Sequence, residues 1–109
     1  MSKGTIVLVP FPFTDLSGNK VRPCVLLAEQ KNGEDCIVAF ISSVKQSRVG
    51  VFEVRVKASV TNGLKRDSVL KVDKIATLQK KIILGELGVL EKELMKVLDS
   101  KLSQLFGLK

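Results

Sequence analysis

The chain opens with an apolar strand, Ile6-Val7-Leu8-Val9, that runs directly into Pro10 and Pro12. Neither proline can donate to a ladder, so the sequence predicts that the strand closes there. A long irregular loop follows and delivers Lys20 and Arg22 to the mouth of a second strand, Pro23-Cys24-Val25-Leu26-Leu27-Ala28. A loop of that length between two strands of a small protein is unusual, and such loops carry function. A guanidinium at the start of a strand suits an anionic, phosphate-bearing ligand.

The remaining elements are short. Cys36 to Ser42 reads as a third strand, paired to the second through a turn at Asn32-Gly33. Both strands are apolar on both faces, which places the hairpin centrally. Ser43 to Val49 is a polar loop. Phe52, Val54 and Val56 then alternate with Glu53, Arg55 and Lys57, as in a half-buried strand. Thr61-Asn62-Gly63 marks a turn. Ser68 to Asp73 forms the next strand, with Val69, Lys71 and Asp73 on one face. Leu84 to Val89 is a last strand weakened by two glycines. Leu90, Leu94, Val97, Leu98, Leu102 and Leu105 form one stripe of a helix from about Glu91 to Phe106, with Gly107 as its cap. The expected fold is mainly β with a C-terminal helix: one domain, residues 1–109, in which the helix closes or plugs a small barrel.

Charge is unevenly placed. Residues 45–81 hold ten Lys/Arg against three acids, and the segments on either side are each neutral. The excess of +7 therefore lies in the middle of the chain. A basic segment of that kind is either a solvated surface or a site for a polyanion, such as nucleic acid or an acidic protein segment. No apolar run is long enough to span a bilayer, and the N-terminus enters the first strand too soon for a signal peptide. A cytoplasmic location is expected. With the hairpin turn as read, Cys24 faces Ile41 and Cys36 faces Glu29. The thiols then lie about 17 Å apart at ~3.4 Å per residue, too far for a disulfide. Both are expected to be buried and free.

The chain has no histidine. Serine–histidine and cysteine–histidine catalysis are therefore excluded, as are zinc sites built from His and Cys, because two Cys cannot supply four ligands. No phosphate-binding Gly-rich loop ending in Lys-Ser or Lys-Thr occurs. RNA cleavage survives these exclusions because the substrate brings its own nucleophile, the ribose 2′-hydroxyl. No cofactor and no metal are expected.

The run Gly4-Thr5-Ile6-Val7-Leu8-Val9-Pro10-Phe11-Pro12-Phe13-Thr14-Asp15, followed by a short polar loop, Arg22-Pro23 and an apolar strand, resembles the opening of the MazF/PemK toxins. These are ribonucleases of bacterial toxin–antitoxin pairs. The resemblance is close over residues 4–29 and weaker through the middle of the chain. It implies an SH3-like β-barrel with a C-terminal helix, a homodimer, a single-stranded RNA substrate, and an antitoxin whose acidic disordered tail covers the basic groove. It implies that Arg22 and Ser42 form the catalytic pair, with Ser43 the rival of Ser42. Lys71 and Asp73 match a family stretch in which an Arg and an Asp two apart belong to the active site of some members. Asp73 is then the candidate proton acceptor; the alternative is a surface ion pair with Lys71. Many relatives carry an Arg-Thr pair where this chain has Ala76-Thr77. Thr14, Lys20, Lys45 and Arg48 are further candidate RNA contacts. Phe11 and Phe13 either stack bases or pack in the core.

Two other readings stay open on sequence. One is a gyrase poison of the same architecture, as in the CcdB relatives, acting through its terminal helix. The other is a barrel that binds nucleic acid without cutting it.

Overall fold

The computed structural model describes residues 1–11, 20–43 and 48–108, with Phe11 by its backbone. Its strands are β1 (Thr5–Phe11), β2 (Lys20–Glu29), β3 (Asp35–Ser43), β4 (Glu53–Val56), β5 (Ser68–Gln79) and β6 (Gly85–Val89), and helix α1 (Lys92–Phe106) follows. They form one antiparallel sheet in the order β4-β5-β3-β2-β1-β6. The β2–β3 hairpin is central, as its doubly apolar sequence requires.

Each face of the sheet has its own apolar cluster. Ile6, Val25, Ala39, Ile41, Leu70 and Val72 on one face pack with Val54, Val56 and the helix residue Leu98. Val7, Val9, Cys24, Leu26, Cys36, Val38 and Leu78 form the other cluster. The strict alternation along each strand sorts residues between the two. On the helix, Leu94, Met95, Leu98, Leu102 and Leu105 face the core. Val97 is 39 % exposed, and Met95 takes the place expected for it. Gly107 ends the helix in the left-handed conformation (φ 68°), and the Leu108 N–H returns to the Ser103 carbonyl.

Four local features depart from the simplest reading. β1 does not stop at Val9; Pro10 pairs with Val21 inside the ladder. The ring is tolerated because the β1–β6 ladder has already ended at Leu8, so among the described residues the missing donor faces no strand. The β2–β3 turn is longer than two residues: Gln30 N–H meets the Asp35 carbonyl at 3.3 Å, and Gly33 N–H meets Gln30. Both turns are centred on the same point, so Glu29 still faces Cys36. A bulge at Leu27 then moves Cys24 opposite Phe40 rather than Ile41. Finally, β5 runs on to Gln79, well past Asp73.

The edges β4 and β6 share no ladder; the loop after β4 joins them. Asn62 is fully buried there. Its Oδ1 accepts from the Ser59 and Leu64 N–H groups, both at 3.0 Å. Its Nδ2 donates to the Lys57 carbonyl at 2.8 Å and to the Glu91 carboxylate at 3.2 Å. Ser59 Oγ donates to Glu91 Oε2 at 2.6 Å, and the Val89 N–H reaches the Thr61 carbonyl. Gly88 is required here, since a Cβ would lie 2.3 Å from the Thr61 oxygen. One buried amide thus ties β4, β6 and the start of α1 together.

Burial alone would raise the Glu91 carboxyl, but hydrogen bonds from Ser59, its own backbone N–H and Asn62 outweigh it and hold the group below the ordinary glutamate range. A carboxyl held low in the fold stabilises it above the unfolded value, and that contribution is lost as pH falls through the folded value. Acid titration of unfolding should therefore show a steeper loss below the ordinary glutamate range for wild type than for Glu91→Gln. Asn62→Ala strands several buried partners and should cost about 2–3 kcal/mol in urea denaturation. A change within about 0.5 kcal/mol would mean that the loop does not close the sheet.

Candidate active site

The β2–β3 ladder ends at the pair Cys24–Phe40. The next residue on β2 is Pro23, whose missing donor points to the β3 side. Beyond that pair the strands part: β2 continues along β1, where Arg22 pairs with Val9, while Ile41–Ser43 continue along β5. A cleft of about 750 Å³ occupies this opening. Arg22 and Phe40, Ser42 and Ser43, Val69, Lys71, Asp73, Lys74 and Ile75, together with Arg48 and Glu53, line it.

Register explains the meeting of Arg22 and Ser42. Cys24 and Phe40 are partners, so they share a face. Arg22 is two residues before one, and Ser42 two residues after the other. The period of two puts both side chains on that same face, on neighbouring strands, just past the last pair. Ser43 also lines the cleft but has the opposite parity. Across β5, Phe40 pairs with Lys71 whereas Ala39 pairs with Ile75, so Val72, Asp73 and Lys74 bulge out of the ladder. The bulge carries Asp73 and Lys74 to the rim, where both are exposed, while Lys71 is half-buried.

Among the described residues the cleft carries four cations, Arg22, Arg48, Lys71 and Lys74, and two carboxylates, Glu53 and Asp73. That balance of charge suits a polyanion. Lys20 lies at the start of β2 opposite Phe11, outside the lining. Thr14, Phe13 and Lys45 lie outside the described residues, and so does the Phe11 side chain. Phe40, Glu53 and Lys74 were not singled out by sequence. Phe40 reads as a core residue of an apolar strand, Glu53 as the polar side of an alternation, and Lys74 enters the site only through a bulge that no periodicity reveals. Among the described residues no three His, Cys, Asp or Glu side chains are placed to share a metal ion.

Cys24 lies in the buried cluster, two residues along β2 from Arg22. Burial, then the nearby Cys36, pushes its thiol up to about 12. Burial also raises Cys36. Both cysteines are free and neither is more than 1 % exposed. Neither should react with iodoacetamide in the native protein at pH 8, and both should react after unfolding. Rapid native alkylation of Cys24, read by mass spectrometry, would place this cluster in solvent and contradict its packing.

A family model described as the PemK-like, MazF-like toxin of type II toxin-antitoxin systems matches residues 2–106. The fold is similar to that of an endoribonuclease from a mycobacterial species, solved in complex with its cognate antitoxin; the TM-score is 0.80 at 16 % identity, covering 100 % of this chain and 97 % of that one. It is similar to the Mycobacterium tuberculosis toxin MazF-mt6, with TM-score 0.75 and 22 % identity over 96 % and 98 % of the two chains. MazF from Deinococcus radiodurans gives 0.77 at 18 % identity over 99 % and 97 %. No curated protein matches the sequence significantly.

Proposed function

The chain belongs to the PemK-like, MazF-like toxin family, and from that membership we propose that it cuts single-stranded RNA without a metal ion and is neutralised by an antitoxin. The observation that carries the reading is the shared face and common cleft of Arg22 and Ser42, with Lys71 and Asp73 on the facing strand.

The substrate supplies the nucleophile. The ribose 2′-oxygen attacks the adjacent phosphorus as the bond to the 5′-oxygen breaks, leaving a 2′,3′-cyclic phosphate and a 5′-hydroxyl. The protein has to align these groups, stabilise the phosphorane and move two protons. Asp73 takes the proton from the 2′-hydroxyl. Arg22 holds the non-bridging oxygens. A guanidinium is a poor base, but it can act as an acid toward an alkoxide more basic than itself. It therefore passes a proton to the departing 5′-oxygen, and solvent restores it. Ser42 donates to a non-bridging oxygen. Lys71, Lys74 and Arg48 hold the flanking phosphates, with Lys20, Lys45, Thr14 and Ser43 as further contacts. DNA lacks the 2′-hydroxyl and can bind without reacting.

The same cations suit an acidic antitoxin segment that folds as it binds and blocks the cleft. We assign the active unit as a homodimer, following the family resemblance.

Purified protein should cut a long unstructured RNA in excess chelator, giving 5′-hydroxyl ends. Arg22→Ala should lower turnover by about 10²–10³-fold, and Asp73→Asn by about 10²-fold or more. Products with 5′-phosphates, or unchanged cleavage by Arg22→Ala, would remove the mechanism.

A further inference from the structure

We propose that Glu53 is a specificity-determining residue that selects a base bearing an exocyclic amino group; this rests on reading the cleft as an RNA site. Glu53 starts β4, pairs with Lys71 and lines the cleft. Its carboxylate is held in place. Oε1 accepts from the Gly50 N–H at 2.7 Å, and the Glu53 N–H returns to the Gly50 carbonyl at 3.1 Å. This reciprocal pair fixes the turn that follows Arg48.

A carboxylate held this way, with no reacting proton assigned to it, is repelled by the phosphates that the neighbouring cations attract. What remains beside it is a base edge. An ionised carboxylate only accepts hydrogen bonds, so it favours the amino group of cytosine, adenine or guanine. Uracil is the poorer partner, because its one edge donor, N3–H, is flanked by two carbonyl oxygens that repel the carboxylate. Bases of a single strand present their edges for this kind of readout, as cytosine N4 does to Glu and Asp. Phe40, on the face that pairs with Lys71, offers a ring against which a base can stack.

The test is equilibrium binding of oligodeoxycytidylate and oligodeoxyuridylate of about eight nucleotides, neither of which can be cleaved. Wild type should bind the cytidylate about tenfold more tightly. In Glu53→Gln the amide oxygen can keep the bond to Gly50 while its N–H₂ can donate to uracil, so the preference should fall to about twofold or less. Glu53→Ala should lose the preference and weaken both complexes by freeing the Arg48 turn. Equal binding of the two oligomers by wild type, no binding of either, or an unchanged preference in Glu53→Gln would overturn the proposal. Selective binding without any RNA cleavage would instead sink the ribonuclease reading and leave this one standing. RNA cleavage without selective binding would do the reverse.

Discussion

The separation of two strands at one proline organises the site. β2 and β3 are bonded as far as Cys24 and Phe40, and Pro23 cannot continue the ladder on the β3 side. A non-proline residue there could extend the pairing and zip the cleft shut. Because pairing ends, the next same-face residues, Arg22 and Ser42, line an opening rather than a sealed sheet surface. Their backbones are still held by outer ladders, Arg22 by β1 and Ser42 by β5. Both walls are therefore anchored in ladders, the kind of support that preorganised charge stabilisation needs.

A site at a strand split depends on the sheet staying curled. The Asn62 network links the loop after β4 to β6 and to Glu91 at the start of α1. The helix then covers one apolar cluster through Leu94, Met95, Leu98, Leu102 and Leu105. The other cluster meets the cleft through Phe40, and its Val9 pairs with Arg22. Apolar packing beneath a cationic rim lowers the local dielectric and strengthens the field that the cations present to a phosphate. Among the described lining residues with polar or charged side chains, five of eight come from β3 and β5, Ser42, Ser43, Lys71, Asp73 and Lys74. These strands share the longest ladder in the sheet.

Much of the fold is legible in the chain because it rests on local pattern. Alternation along Val54 and Val56 marked β4, the leucine spacing marked α1, and Gly107 marked its end. Next to the turn the hairpin register survived a wrong turn length, because the two possible loops share a centre, but from Leu26 onward it is shifted by one. Irregularities were not legible. The bulges at Leu27 and at Val72–Lys74 are set by strand curvature, and a period-two pattern carries no trace of them. Pro10 misled because its place in a two-stranded extension depends on where β6 ends. Val97 was assigned to the core by spacing that suited Met95 as well. Arg22, Ser42, Lys71 and Asp73 came from the family resemblance, and the parity of β2 and β3 gives the first two a common face. Glu53 and Phe40 needed coordinates, because strand alternation alone gives each an ordinary structural place.

The central claim is that Arg22 and Ser42 act on one phosphate from neighbouring strands. A double-mutant cycle on RNA turnover tests this directly, with Arg22→Ala, Ser42→Ala and the double variant measured at fixed salt. Groups acting as a unit give losses that do not multiply, so the double variant should be little slower than Arg22→Ala alone. Losses that multiply fully would show that the two side chains act independently, and would contradict the account of the split strands as one catalytic surface.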